Sequence, residues 1–190
     1  MVQDFNFKKT FLVALIISLS ISALIGIFVF LLGNFGETEL RLLLTTLTIG
    51  GYSLTGLCCS VLYEQKRFIP LAVSGIVISI IGFFYTVLAI WELVDLNTQF
   101  SWKALIFFIV LSVSIAHICL LLLLKSDHLA VNGSLSATII FIAIVALMLI
   151  ILILNDFDNV GEFYFRLLGV FAILDVLGTI VTPILNKIFQ

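Results

Sequence analysis

Long uncharged apolar stretches alternate along the chain with short clusters of charge. They run from Thr10 to Gly36, Leu42 to Tyr63, Phe68 to Trp91, Ala104 to Leu124, Leu129 to Asn155 and Leu167 to Asn186, the last interrupted by Asp175 alone. Roughly 18 or more apolar residues span a hydrocarbon core as a helix, and a helix satisfies its own backbone hydrogen bonds where water is absent. The pattern predicts an all-α integral membrane protein with six transmembrane helices, at about 10–33, 41–63, 68–91, 103–124, 135–154 and 166–187. Only short connections remain. Residues 1–190 therefore read as a single six-helix transmembrane domain, with no room for a separate catalytic or nucleic-acid-binding unit.

The first stretch follows Lys8 and Lys9, as a secretory signal would. Its apolar core exceeds the roughly 7–15 residues of such a segment, and no small-x-small site stands before Glu37, so it reads as a retained first helix. Composition strengthens the membrane reading. Of 190 residues, 63% are hydrophobic and 11% charged, against about a quarter charged in soluble domains.

Basic residues set the orientation, because Lys and Arg accumulate in cytoplasmic loops. One side carries Lys8, Lys9, Lys66, Arg67, Lys125 and Lys187 against Asp4, Glu64 and Asp127. The other carries Arg41, Lys103 and Arg166 against Glu37, Glu39, Glu92, Asp95, Asp156, Asp158 and Glu162. Both termini are thus expected on the cytoplasmic side of a cell (plasma or inner) membrane. Aromatic residues agree: Trp91, Phe100, Trp102, Phe163, Tyr164 and Phe165 fall at the outer interface, and Phe5, Phe7, Tyr63, Phe68 and Phe189 at the inner one.

A weak repeat overlies the spans. Leu40-Arg41-Leu42-Leu43, Trp102-Lys103-Ala104-Leu105 and Phe165-Arg166-Leu167-Leu168 open the even-numbered stretches, and Gly36 to Leu43 shares Gly-Glu-x-x-x-Arg-Leu-Leu with Gly161 to Leu168. The pattern suggests three repeated helical hairpins about an axis along the membrane normal.

Polar content separates the helices. Span 2 is rich in small and hydroxylated residues; Gly51/Thr55 and Gly56/Ser60 stand at the spacing that lets helix backbones approach closely. Span 4 adds Ser112, Ser114 and His117, and span 6 adds Asp175, Gly178, Thr179, Thr182 and Pro183, whereas Ile139 to Leu154 carries no polar side chain. On this basis the even helices are expected to form an inner layer and the odd ones, span 5 above all, to face lipid.

Asp175 is the strongest chemical signal, since a carboxylate at mid-span costs about 2.5–3.5 kcal/mol on insertion scales and asks for a partner or a role. It lies roughly 13 Å below the outer boundary at Arg166, and His117 lies about 12 Å above the inner boundary at Lys125, in a core about 30 Å thick. The two can therefore face one another. Asp175, Thr179 and Thr182 share one helix face, and Ser114 precedes His117 by one turn. Such a set is the raw material of either a structural hydrogen-bond network or an ion or proton site.

Cys58, Cys59 and Cys119 fall inside spans, where Cys acts as a small hydrophobe. There is no zinc-type His-Glu-x-x-His, no nucleophile elbow and no phosphate-binding glycine loop. The sequence thus gives no catalytic residue, metal site or cofactor. It suggests a non-enzymatic subunit or scaffold of a membrane complex, partnered by the lipid bilayer and by another membrane protein or a second copy. The alternative is a small proton- or ion-coupled transporter or channel built on Asp175 and His117.

Overall fold

The computed structural model describes residues 7–32, 36–93, 99–124, 128–155 and 160–189. Asp4, Phe5, Asp95, Lys125, Asp127, Asp156 and Asp158, which enter the charge and aromatic patterns, lie outside the described residues, as do the side chains of Phe7 and Lys8. The chain forms α1 (Phe7–Leu32), α2 (Glu37–Glu64), α3 (Ile69–Ile90), α4 (Gln99–Leu122), α5 (Leu129–Leu154) and α6 (Glu162–Ile188). All six are long and apolar enough to cross a membrane.

The helices outrun the apolar stretches. α2 and α6 start at Glu37 and Glu162, after extended Gly36 and Gly161, so an acid occupies the first turn where the helix dipole favours negative charge. The shared Gly-Glu-x-x-x-Arg-Leu-Leu segment is therefore a helix start in both copies. Its arginines then diverge: Arg166 pairs with Glu162 on its own helix at 2.7 Å, while Arg41 reaches across to Glu92 after α3 at 2.6 Å. α5 likewise begins at Leu129, ahead of the expected 135, and takes Asn132, Gly133 and Ser134 into the helix. Between α2 and α3 the turn is tight; Lys66 and Phe68 adopt φ of 54° and 48°, the left-handed region that non-glycine residues rarely occupy.

Sequential neighbours pack antiparallel, and α2 also packs on α4, so the array runs as a serpentine from α1 at one edge to α6 at the other. Only one of the three pairings that a threefold axis would equate, α2 with α4, packs extensively among the described residues. The hairpin repeat in the sequence is not matched by a closed threefold bundle.

Burial also departs from the polarity pattern. In their most apolar windows α2 and α5 are each 33% buried, whereas α1 and α6 are each 6% buried. The expectation that span 2 is interior agrees with this; the expectation that span 5 faces lipid and span 6 lies inside does not. Chain order explains the reversal. α5 sits between α4 and α6 and buries Val131, Thr138, Ile142, Ala146 and Leu152, because aliphatic side chains pack on protein as readily as on acyl chains.

The seams are zipped by glycines and hydroxyls. Phe11 of α1 lies over Gly56 of α2, and Ser22 donates to Thr46 at 2.6 Å. Gly75 of α3 meets Cys59 of α2 and Ile115 of α4, beside the fully buried Leu62, Ala72 and Cys119. Gly51 is the exception among the expected packing residues: a Cβ there would meet nothing within 4 Å. It faces an opening instead, because α1 and α3 close on α2 along its other faces, at Gly50 and Gly56 and at Tyr52 and Thr55.

Candidate functional site

About two helical turns of α6 carry Asp175, Thr179 and Thr182, and the two threonines turn to different neighbours. Thr179 Oγ1 donates to the Asp175 carbonyl at 2.8 Å, the usual back-bond of a helical hydroxyl, and lies 3.4 Å from Asp175 Oδ1. It also sits 2.9 Å from His117 Nε2 on α4. A hydroxyl has one proton; with it on an oxygen of Asp175, Thr179 accepts from His117 in the tautomer protonated at Nε2. Asp175 and His117 thus flank Thr179 and are linked through it, with no direct bond between them among the described residues.

One turn on, Thr182 is fully buried. It donates to the Gly178 carbonyl at 2.7 Å and meets Ser134 at 2.9 Å and Thr138 at 3.4 Å on α5. Gly178 makes this seam close, since Thr138 lies directly against it. α6 therefore touches α4 through Thr179 and α5 through Gly178 and Thr182. Ser114 is half-buried and joins no hydrogen bond among the described residues. Ser134 falls before the expected start of span 5 at 135, and Thr138 lies within that span but just ahead of the Ile139 to Leu154 run that carries no polar side chain; the Ser134-x-x-x-Thr138 spacing is the signal, placing both hydroxyls on one face.

On the other side of the array, Thr55 and Ser60 lie at helix contacts. Thr55 Oγ1 donates to the Tyr52 carbonyl at 2.9 Å and meets Ser79 of α3 at 3.1 Å; Ser60 is fully buried and donates to Leu57 at 2.9 Å. Cys59 and Cys119 are fully buried in the core between α2 and α4, and Cys58 is half-buried. Among the described residues, no group of His, Cys, Asp or Glu is arranged to hold a metal ion. Among the described residues, two buried polar atoms lack a partner, Ser112 Oγ on α4 and Asn186 Oδ1 on α6.

No protein-family model, curated protein or solved structure matches the chain.

Proposed function

We propose that the chain is a multi-pass protein of the plasma or inner membrane, with both termini cytoplasmic, that serves as a non-enzymatic subunit or scaffold of a membrane complex. The supporting observation is the setting of Asp175. The acid lies mid-way along a helix at the edge of the array, and its carboxylate has a 3.4 Å contact to a hydroxyl that lies closer, at 2.8 Å, to a backbone carbonyl. A carboxylate so poorly satisfied in hydrocarbon is stabilised by a donor from a neighbouring chain.

Two results are expected. A reporter active only outside the membrane is silent when fused after Gln190 and active when placed at Asp95; the reverse pattern overturns the orientation. In native membranes, a photo-cross-linking residue at Ile173 or Val176, exposed beside Asp175, captures a second polypeptide or a second copy, and Asp175→Leu reduces the yield several-fold. A chain that stays monomeric at every α6 position sinks the scaffold reading.

The His117–Thr179–Asp175 alignment favours one competing role, proton or ion transfer, because each contact is a step a proton can take. Liposomes loaded with a pH-sensitive dye separate the two readings. Under the scaffold reading Asp175→Asn leaves proton permeability unchanged; a proton flux by the intact chain that Asp175→Asn abolishes selects transport.

A further inference from the structure

Between α2, α3 and α4 lies a cleft of about 200 Å³, lined by Thr48, Gly51, Tyr52, Thr55, Thr86 and Ser112 together with Leu47, Ile109 and Val113. Leu47 and Val113 are largely exposed at its mouth, so it opens sideways, toward acyl chains if the helices span a bilayer. Ser112 lies nine residues after Lys103, roughly 13 Å along α4, which puts the cleft near mid-depth.

The hydrogen bonding inside it is incomplete. Ser18, Ser60 and Ser74 each donate to the carbonyl three residues back at 2.9 Å. Ser112 does not: it is 2% exposed, lines the cleft, and its Oγ has no partner. Thr86 donates to the Gly82 carbonyl at 2.8 Å and pairs with the Tyr52 hydroxyl across 3.1 Å, where either oxygen can donate; with Tyr52 as donor, the phenolic lone pairs stay open to an incoming donor. The cleft thus carries one unpartnered hydroxyl, buried at its wall, beside the Tyr52–Thr86 pair, among apolar surfaces with no charged residue in the lining.

We propose that this cleft binds the uncharged, hydroxyl-bearing ring of a lipid-soluble molecule, such as an alkylphenol. Size, polarity and depth converge on that class. An apolar cavity of about 150 Å³ accepts a benzene ring, so this volume takes a ring with a substituent. The absence of charge disfavours ionised head groups, and mid-depth is out of reach for a phospholipid head but open to a neutral ring. A bare acyl chain would fill the space yet leave Ser112 unpaired.

The test uses para-decylphenol and decylbenzene as probes, added to purified protein in micelles and read by helical circular-dichroism melting and equilibrium dialysis. Decylphenol raises the Tm and binds about tenfold more tightly than decylbenzene. Ser112→Ala removes an unpaired buried hydroxyl, so its unliganded Tm is equal or higher, yet the preference for the phenol disappears. Gly51→Leu, whose new side chain projects into open space, keeps the fold and loses both probes. The proposal fails if decylbenzene binds as tightly as decylphenol, if Gly51→Leu leaves binding unchanged, or if a cross-linker at position 51 captures a polypeptide in native membranes, which would make the occupant a partner helix.

Discussion

Gly75→Leu is expected to eliminate folded protein, giving an aggregated profile on size-exclusion chromatography where the unmodified chain is monodisperse. α3 is held between α2 and α4 at this residue: a Cβ at Gly75 would overlap the Cys59 side chain and come within 2.8 Å of Ile115. Neither neighbour is the free end of a long side chain. Cys59 is fully buried beside Leu62, Ala72 and Cys119, so it cannot rotate away without displacing that cluster. Overpacking of a filled core costs about 1–3 kcal/mol even when the backbone adjusts. Here it would have to push α3 away from two helices at once, in a setting where close packing is itself a main source of helix association. Gly133→Leu is the control. Its Cβ meets nothing within 4 Å, so it stays monodisperse. Equal melting temperatures for the two variants would show that Gly75 is not a point of close approach.

The helices were legible in the sequence because charge marks their ends and each apolar stretch is long enough to cross a hydrocarbon core. Their true ends were less so. Glu37, Gln99 and Glu162 lie outside the apolar windows but inside the helices, since a helix can run on past the end of its apolar stretch. Burial was the harder inference. In water a polar face points outward and an apolar face inward, but between acyl chains and protein an aliphatic residue has no strong preference. Span 5 could therefore be wholly apolar from Ile139 to Leu154 and still sit among the most buried helices. α6, with its acid and hydroxyls, could lie at the edge, because a single stripe through Thr179 and Thr182 pairs its hydroxyls with two neighbours, while the Asp175 carboxylate keeps only a 3.4 Å contact to Thr179.

Depth arithmetic put Asp175 and His117 at similar levels, and they do flank one hydroxyl. It could not say that Thr179 would stand between them, which depends on the rotation of α6 and on Gly178 admitting Thr138. Gly51 shows the opposite failure. Its spacing to Thr55 matched a packing motif, but spacing alone does not tell which side of α2 a neighbour occupies. That side is the mouth of the cleft.

Gly178→Leu is expected to detach α6 while leaving α1 to α4 packed. α6 buries only Thr182 and Asn186, so its hold on the array rests on the seam where Thr138 lies against Gly178 and Thr182 meets Ser134. A leucine at 178 forces that seam open. Since His117 and Thr179 are 2.9 Å apart at their polar atoms, loss of the seam also separates α6 from α4. The measurement is a short bifunctional thiol cross-link between His117→Cys and Thr179→Cys, in a background where Cys58, Cys59 and Cys119 are replaced by Ala. The cross-link forms readily with Gly178 in place and falls by at least about tenfold with Gly178→Leu, as expected if roughly 1.4 kcal/mol or more of seam stability is lost. Thr182→Val separates shape from hydrogen bonding: it keeps the volume and removes the hydroxyl, at a cost near 0.6 kcal/mol for a typical hydrogen bond between membrane helices, so the cross-link persists. If Thr182→Val abolishes the cross-link and Gly178→Leu spares it, hydroxyl pairing and not close approach holds α6 in the array.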